Sequence, residues 1–235
     1  MSGQQPRLSA LITAEHASRH VPARWRGLFA DQPAVLASHR AWDPGTDALA
    51  RALADVLQAP LLRGRVTRLL VDLNRSRGHP AQFSEFSRRL DRREKQSLLE
   101  RYWLPHWQAY ADALACLPGR IVHLACHSFT PILDGRERPV DIGLLYDPAR
   151  GREKRWCDLL AACLKRHLPD ARVRRNQPYR GTANGLGQQH RKRLDDDRLL
   201  TVELEVRSDW ALRGDIRAAV LAACVEAFPA AATID

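Results

Sequence analysis

Ile121-Val122-His123-Leu124-Ala125-Cys126-His127 is the stretch that decides how this 235-residue chain folds. The run is mostly apolar, of strand length and too short for a helix, and it delivers His127 at the strand's C-terminal end. Working outward, comparable short runs occur at Leu8–Ala14, which ends at Glu15-His16, and at Pro60–Arg63, Arg68–Leu73, Asp141–Tyr146, Ala171–Arg174 and Leu199–Val206. Helical patterns lie between them. Leu49, Leu53, Val56 and Leu57 recur at helical spacing behind Asp43-Pro44-Gly45, and Glu153–Leu168 and Asp209–Phe228 are two further amphipathic stretches. Asp91–Leu114 reads as one long helix or as a pair broken around Pro105. The alternation predicts an α/β fold: a single domain over residues 1–235, with a mostly parallel or mixed sheet flanked by helices. Sites in such sheets gather beyond the carboxyl ends of the strands. The candidates are then Glu15-His16, Asn74-Arg75, His127-Ser128 and the Glu203/Glu205 segment.

Composition removes several classes of function. Hydrophobic residues at 45% and charged residues at 27% exclude wholesale disorder. No uncharged apolar run is long enough to span a membrane, and Ala218–Val225 is stopped by Arg217 and Glu226. MSGQQPRLSALITAEH has no cationic start followed by a long apolar stretch, so no secretory signal is expected. Five cysteines without CxxC spacing argue against a disulfide framework and for the cytoplasm. The formal charge of +10 comes from arginines spread along the whole chain. No nucleic-acid recognition motif accompanies it, nor aromatic residues interleaved with the basic ones, so a solvated basic surface is the expected reading. Walker A, Gly-x-Ser-x-Gly and His-Glu-x-x-His motifs are absent.

The strand ends carry the chemistry. His16 and His127 end two separate strands, and a hydrolytic zinc site needs about three imidazole or carboxylate ligands with one position left for water. Asp43, at a helix start, is a candidate third ligand, although alone it would read as a helix cap. Glu15 is the other candidate, and it reaches the same metal as its neighbour His16 only if the chain turns there. Glu203 and Glu205 alternate along Thr201–Val206 and so face one side of the sheet, an expensive placement unless they are paired or functional. A buried glutamate near an activated water is what a general base requires. Arg75 offers a planar fork for a substrate carboxylate, as do Arg77, Arg175 and Arg180. His20, His79, His106, His123, His167 and His190 receive no role.

Together these blocks resemble the N-formylglutamate amidohydrolase family. The resemblance rests on Ala14-Glu15-His16-Ala17-Ser18, Ser38-His39-Arg40-Ala41-Trp42-Asp43-Pro44-Gly45 and Arg68–Ser76. It continues through His127-Ser128-Phe129-Thr130-Pro131, Asp141–Asp147, Asn176–Gly181 and Glu203-Leu204-Glu205-Val206, in order over most of the chain. It implies a phosphorylase/hydrolase-like fold and zinc-dependent amide hydrolysis, with one zinc per chain on His16, Asp43 and His127. Glu203 would be the base, and Asn74, Arg75 and Arg180 would hold a small acidic N-acyl amino acid such as N-formylglutamate. Ala-Glu-His-Ala stands where the histidine-degradation deformylases carry a Pro-His motif, so zinc amide hydrolysis transfers more directly than the formyl substrate. A cell-wall peptide amidase of similar zinc layout is the enzymatic alternative. A non-catalytic ligand- or nucleic-acid-binding protein is the other, and the oligomeric state is left open.

Overall fold

The computed structural model describes residues 7–234. In chain order its elements are β1 (Leu8–Ala14), α1 (Thr46–Val56), β2 (Leu61–Arg63), α2 (Arg92–Leu98), α3 (Leu104–Cys116), β3 (Arg120–Phe129), β4 (Ile132–Leu133) and β5 (Arg136–Glu137). They continue with β6 (Ile142–Leu145), α4 (Gly151–His167), β7 (Val173–Arg175), α5 (Leu186–Arg191), β8 (Leu199–Arg207), α6 (Ser208–Ala211) and α7 (Gly214–Ala227). Six strands form one sheet in the order β2-β1-β3-β8-β6-β7, while β4 and β5 make a separate hairpin. β2, β1, β3 and β8 run parallel, whereas β6 is antiparallel to β8 and parallel to β7, so the sheet is mixed. No helix among the described residues is long and apolar enough to cross a membrane.

The period-two pattern of β3 and β8 sorts the molecule into layers. Val122, Leu124, Cys126, Val202, Leu204 and Val206 face one side, where Leu53 of α1, Trp156 and Leu160 of α4 and Val220 of α7 bury them in the main core. The intervening residues face α3 and α5, where Tyr110, Leu114 and Leu186 pack on Leu11, Ile121 and Leu199. On that second face the register sets His123 beside Thr201, Ala125 beside Glu203 and His127 beside Glu205. β3 is longer than the apolar run suggests. It continues to Phe129 because β8 pairs with it throughout, so His127 lies inside the strand near its end.

Two expectations need correction. Arg68–Leu73 is not a strand, so Asn74-Arg75 does not end one. Its backbone bonds run to loops: the Leu70 N–H donates to the Thr67 carbonyl at 3.0 Å and the Asp72 N–H to the Gln82 carbonyl at 2.9 Å. Its apolar side chains are buried all the same, because Leu70, Val71 and Leu73 join Trp25 and Phe29 of a 3-10 helix over Ala23–Phe29, with Phe86, in a second cluster. A short buried run has the same signature in a strand and in a packed loop. The closing helix expected over Asp209–Phe228 is divided into α6 and α7 ahead of Gly214. For Asp91–Leu114 the chain takes a middle course. The Asp91 carboxylate caps α2 by accepting the Glu94 N–H at 2.7 Å, and a π-helical turn over Leu99–Trp103 widens the backbone just before Pro105 in α3.

Gly64 is where backbone meets backbone beside the site. Its N–H donates to the Ala14 carbonyl at 2.9 Å, and a Cβ there would lie 1.9 Å from the Glu15 carbonyl oxygen. Gly64→Ala is therefore expected to displace the turn that carries His16 and to destabilise the fold by about 1–3 kcal/mol. A thermal melt would register this as several degrees of Tm, and an unchanged Tm would show that the turn yields freely.

Candidate active site

Three segments converge at the carboxyl end of the sheet. After β1 the chain turns at Glu15-His16, with the Ala17 N–H reaching back to the Ala14 carbonyl at 3.3 Å. Asp43 is tied to this turn directly, since its N–H donates to the His16 carbonyl at 2.9 Å. Its carboxylate does not cap α1 but points into the site, where Oδ2 lies 2.9 Å from His127 Nδ1 and 3.4 Å from His16 Nδ1. His16, Asp43 and His127 are all buried, each offering a donor atom within 4.8 Å of the others.

Each imidazole is backed by a carboxylate on its far side. His16 Nε2 is 2.7 Å from Asp72 Oδ1, and His127 Nε2 is 3.2 Å from Glu15 Oε2. The chain does turn at Glu15, yet this side chain stands behind His127, with its other oxygen 3.8 Å from His106 Nε2. Arg68 bridges Asp43 and Asp72 at 3.5 and 3.1 Å. His16 Nδ1, by contrast, is buried without a hydrogen-bond partner.

The electrostatics follow from this packing. Burial opposes the Asp43 and Asp72 anions, but His16 and Arg68 beside both, with His127 also at Asp43, outweigh it and hold both carboxyls well below the usual range. Burial works against Glu15 in the same way, and His106 and His127 more than offset it. Burial lowers His127, yet Asp43 and Glu15 on its two sides drive it well above an ordinary imidazole. Five carboxylates (Glu15, Asp43, Asp72, Glu203 and Glu205) thus surround two imidazoles and Arg68, an environment that favours added positive charge.

A cavity of about 400 Å³ opens over this cluster, and His16, Asp43, His127, Asn74, Arg75, Arg180, Glu203 and Glu205 all line it. Glu205 is buried and pushed up to about 7 by that burial, with Asp43 and Glu203 adding to the rise against His127 and Arg68. Glu203 keeps partial solvent access. A Cβ on Gly185 would lie 3.1 Å from Glu203 Oε1 and 2.9 Å from Asn74 Oδ1, which sets these two side chains around the start of α5. Asn74 Oδ1 accepts the Leu186 N–H at 2.8 Å, while its Nδ2 is 3.5 Å from His127 Nε2. Arg75 is anchored by its donation to the Asn184 carbonyl at 2.5 Å, and Arg180 stands exposed at the mouth. Two indoles brace this loop from α3 and the π turn: Trp103 Nε1 donates to the Arg75 carbonyl and Trp107 Nε1 to the Leu73 carbonyl.

Sequence reasoning gave no role to Asp72, Arg68 or His106. A charged residue inside the apolar run Leu69–Leu73 was the available signal for Asp72. His123 faces the same side as His127 but does different work. It lies 2.9 Å from Thr13 Oγ1 and 2.8 Å from the Tyr110 hydroxyl, and burial drives it down to about 3, so it stays neutral.

Comparison with known proteins agrees with this architecture. No curated protein matches the chain. Among solved structures, a gene product of Agrobacterium tumefaciens is 29% identical, with a TM-score of 0.80 over 97% of this chain and 92% of that one. N-formylglutamate amidohydrolase from Ralstonia eutropha shares the fold at 18% identity, with a TM-score of 0.65 over 99% of this chain and 95% of that one. The sequence profile of N-formylglutamate amidohydrolases matches residues 8–211, and the chain belongs to that family.

Proposed function

We propose that this protein is a zinc-dependent amidohydrolase that cleaves the C–N bond of a small N-formyl or N-acyl amino acid of the N-formylglutamate type. The observation that carries the reading is the convergence of His16 Nδ1 and His127 Nδ1 on the Asp43 carboxylate, with Asp72 and Glu15 behind the opposite nitrogens. A carboxylate behind each imidazole orients the ring with its inner nitrogen toward the shared position, where an ion would replace the proton that His127 holds toward Asp43, the arrangement of metal-ligating histidines. The unpartnered Nδ1 of buried His16 fits the same donor set. His16, Asp43 and His127 would hold the ion, one per chain, and two imidazoles with one carboxylate suit zinc. Zinc bound there supplies Lewis-acid polarisation of an amide carbonyl and lowers the pKa of a water toward neutrality.

The chain's own groups do the rest. Glu203, facing the cavity with solvent access, takes the proton from the attacking water and returns it to the departing amine nitrogen. Arg75 and Arg180 present guanidinium forks to the substrate carboxylates, and the Asn74 amide lines the same cavity beside His127. A cavity of about 400 Å³ suits a compact acyl amino acid. Five free cysteines, four of them buried, suit the reducing cytoplasm.

The test is elemental analysis of protein purified without a metal-affinity tag, combined with an assay on N-formyl-L-glutamate. About one zinc per chain is expected, with turnover lost on chelation and regained on adding zinc. A chain that takes up no metal when zinc is offered would overturn the reading.

A further inference from the structure

A second crevice, of about 560 Å³, opens on the other side of Glu15 and shares no lining residue with the reaction cavity. Glu15 and two histidines form the partition. His106 lines the crevice with its Nε2 3.8 Å from Glu15 Oε1, and His127 stands on the cavity side, 3.2 Å from Glu15 Oε2.

The crevice wall has two chemistries. Leu61 and Leu62 of the edge strand β2, with Leu73, Pro105 and Ala109, supply apolar surface. Arg63, Arg65 and Arg101 supply three guanidinium groups against a single carboxylate, Asp47. Asp47 is already shared between Arg63 at 2.6 Å and Arg51 at 2.9 Å. Among the described residues neither Arg65 nor Arg101 has an acidic partner. Cations on the wall of a concave surface focus their field into it and draw an anion, and a guanidinium meets a carboxylate with a planar fork. A bare inorganic anion would leave the leucine-lined part wet, and a neutral apolar ligand would leave both arginines unanswered. A volume of this size with a mixed lining is that of an organic ligand site.

We propose that this crevice is a second ligand site, which takes an organic acid with its apolar body along β2 and α3 and its carboxylate on Arg65 and Arg101. The proposal does not rest on the hydrolase reading, because none of its residues is used in that chemistry.

Isothermal titration of phenylacetate into chelator-treated protein tests it, since metal-free protein keeps the reaction cavity from contributing through an ion. Saturable binding of about one molecule per chain is expected for wild type and for Arg75→Ala. In the Arg65→Ala/Arg101→Ala double variant the apparent affinity should fall roughly tenfold or more. Both arginines are exposed, so the fold should survive, with circular dichroism as the check. The single charge reversal Arg101→Glu reads the same contact if the double variant does not fold. Absence of saturable binding, undiminished binding in the arginine variants, or loss of binding in Arg75→Ala would each overturn the second site. Displacement of phenylacetate by an equal concentration of inorganic phosphate would overturn the organic-acid assignment.

Discussion

Exchange of Asp43 for asparagine is expected to abolish stoichiometric zinc binding and, with it, turnover. The substitution is close to isosteric, and although the carboxylate also accepts the Ser128 N–H at 3.4 Å and meets Arg68 at 3.5 Å, the residue is held by backbone bonds as well. Its N–H donates to the His16 carbonyl, and its own carbonyl accepts the Thr46 hydroxyl at 2.8 Å. The fold around it should therefore persist. What disappears is the anion on which His127 Nδ1 and His16 Nδ1 converge, and an amide offers an N–H or a weaker oxygen in its place. Glu15→Gln gives the scale for comparison. Of the two convergent imidazoles that carboxylate touches only His127, at its outer nitrogen, a contact whose loss typically weakens metal affinity by about 10–100-fold. Asp43→Asn should exceed this. Zinc titration against a chromophoric chelator would rank wild type, Glu15→Gln and Asp43→Asn in descending affinity. Asp43→Asn that held one zinc as tightly as wild type would remove this residue from the ligand set.

The ranking bears on what could be read from residues alone. Alternation along β8 was legible because a strand writes its two faces into every second residue, so Glu203 and Glu205 could be assigned one side, and in the structure both line the same cavity as His127. The choice between Asp43 and Glu15 could not be made that way. Adjacent positions such as Glu15 and His16 are separated only by a turn, and the side on which Glu15 approaches His127 depends on β1 and β3 lying next to each other. Asp72 was hidden for a related reason: the segment around it looked like a strand and is a loop pinned by Gln82 and Thr67. The reversed direction of β6 follows from its pairing with β8, a contact between distant parts of the chain. Long-range pairing sets these features, and local periodicity carries no trace of it.

Glu203→Gln is expected to lower kcat by about 10²–10⁴-fold while zinc remains bound, the range for loss of one general base. Two glutamates face the cavity, and their surroundings differ enough to predict different effects. Glu205 sits directly beside His127 in the register, buried, with Oε2 lacking a hydrogen-bond partner. Glu203 is two register positions further from the strand end, keeps partial solvent access, and has its Oε1 near the start of α5 and the Asn74 amide. A base must meet water that enters from solvent and then carry the proton to a leaving nitrogen held in the cavity. The accessible carboxylate meets both requirements, whereas the buried one, pushed up to about 7, is held partly protonated beside His127. Glu205→Gln should accordingly act through metal affinity or KM, with a smaller fall in kcat than Glu203→Gln. Measuring kcat, KM and zinc content on both variants separates the two roles. If Glu205→Gln took the larger loss in kcat with zinc retained and Glu203→Gln stayed near wild type, the base would be Glu205.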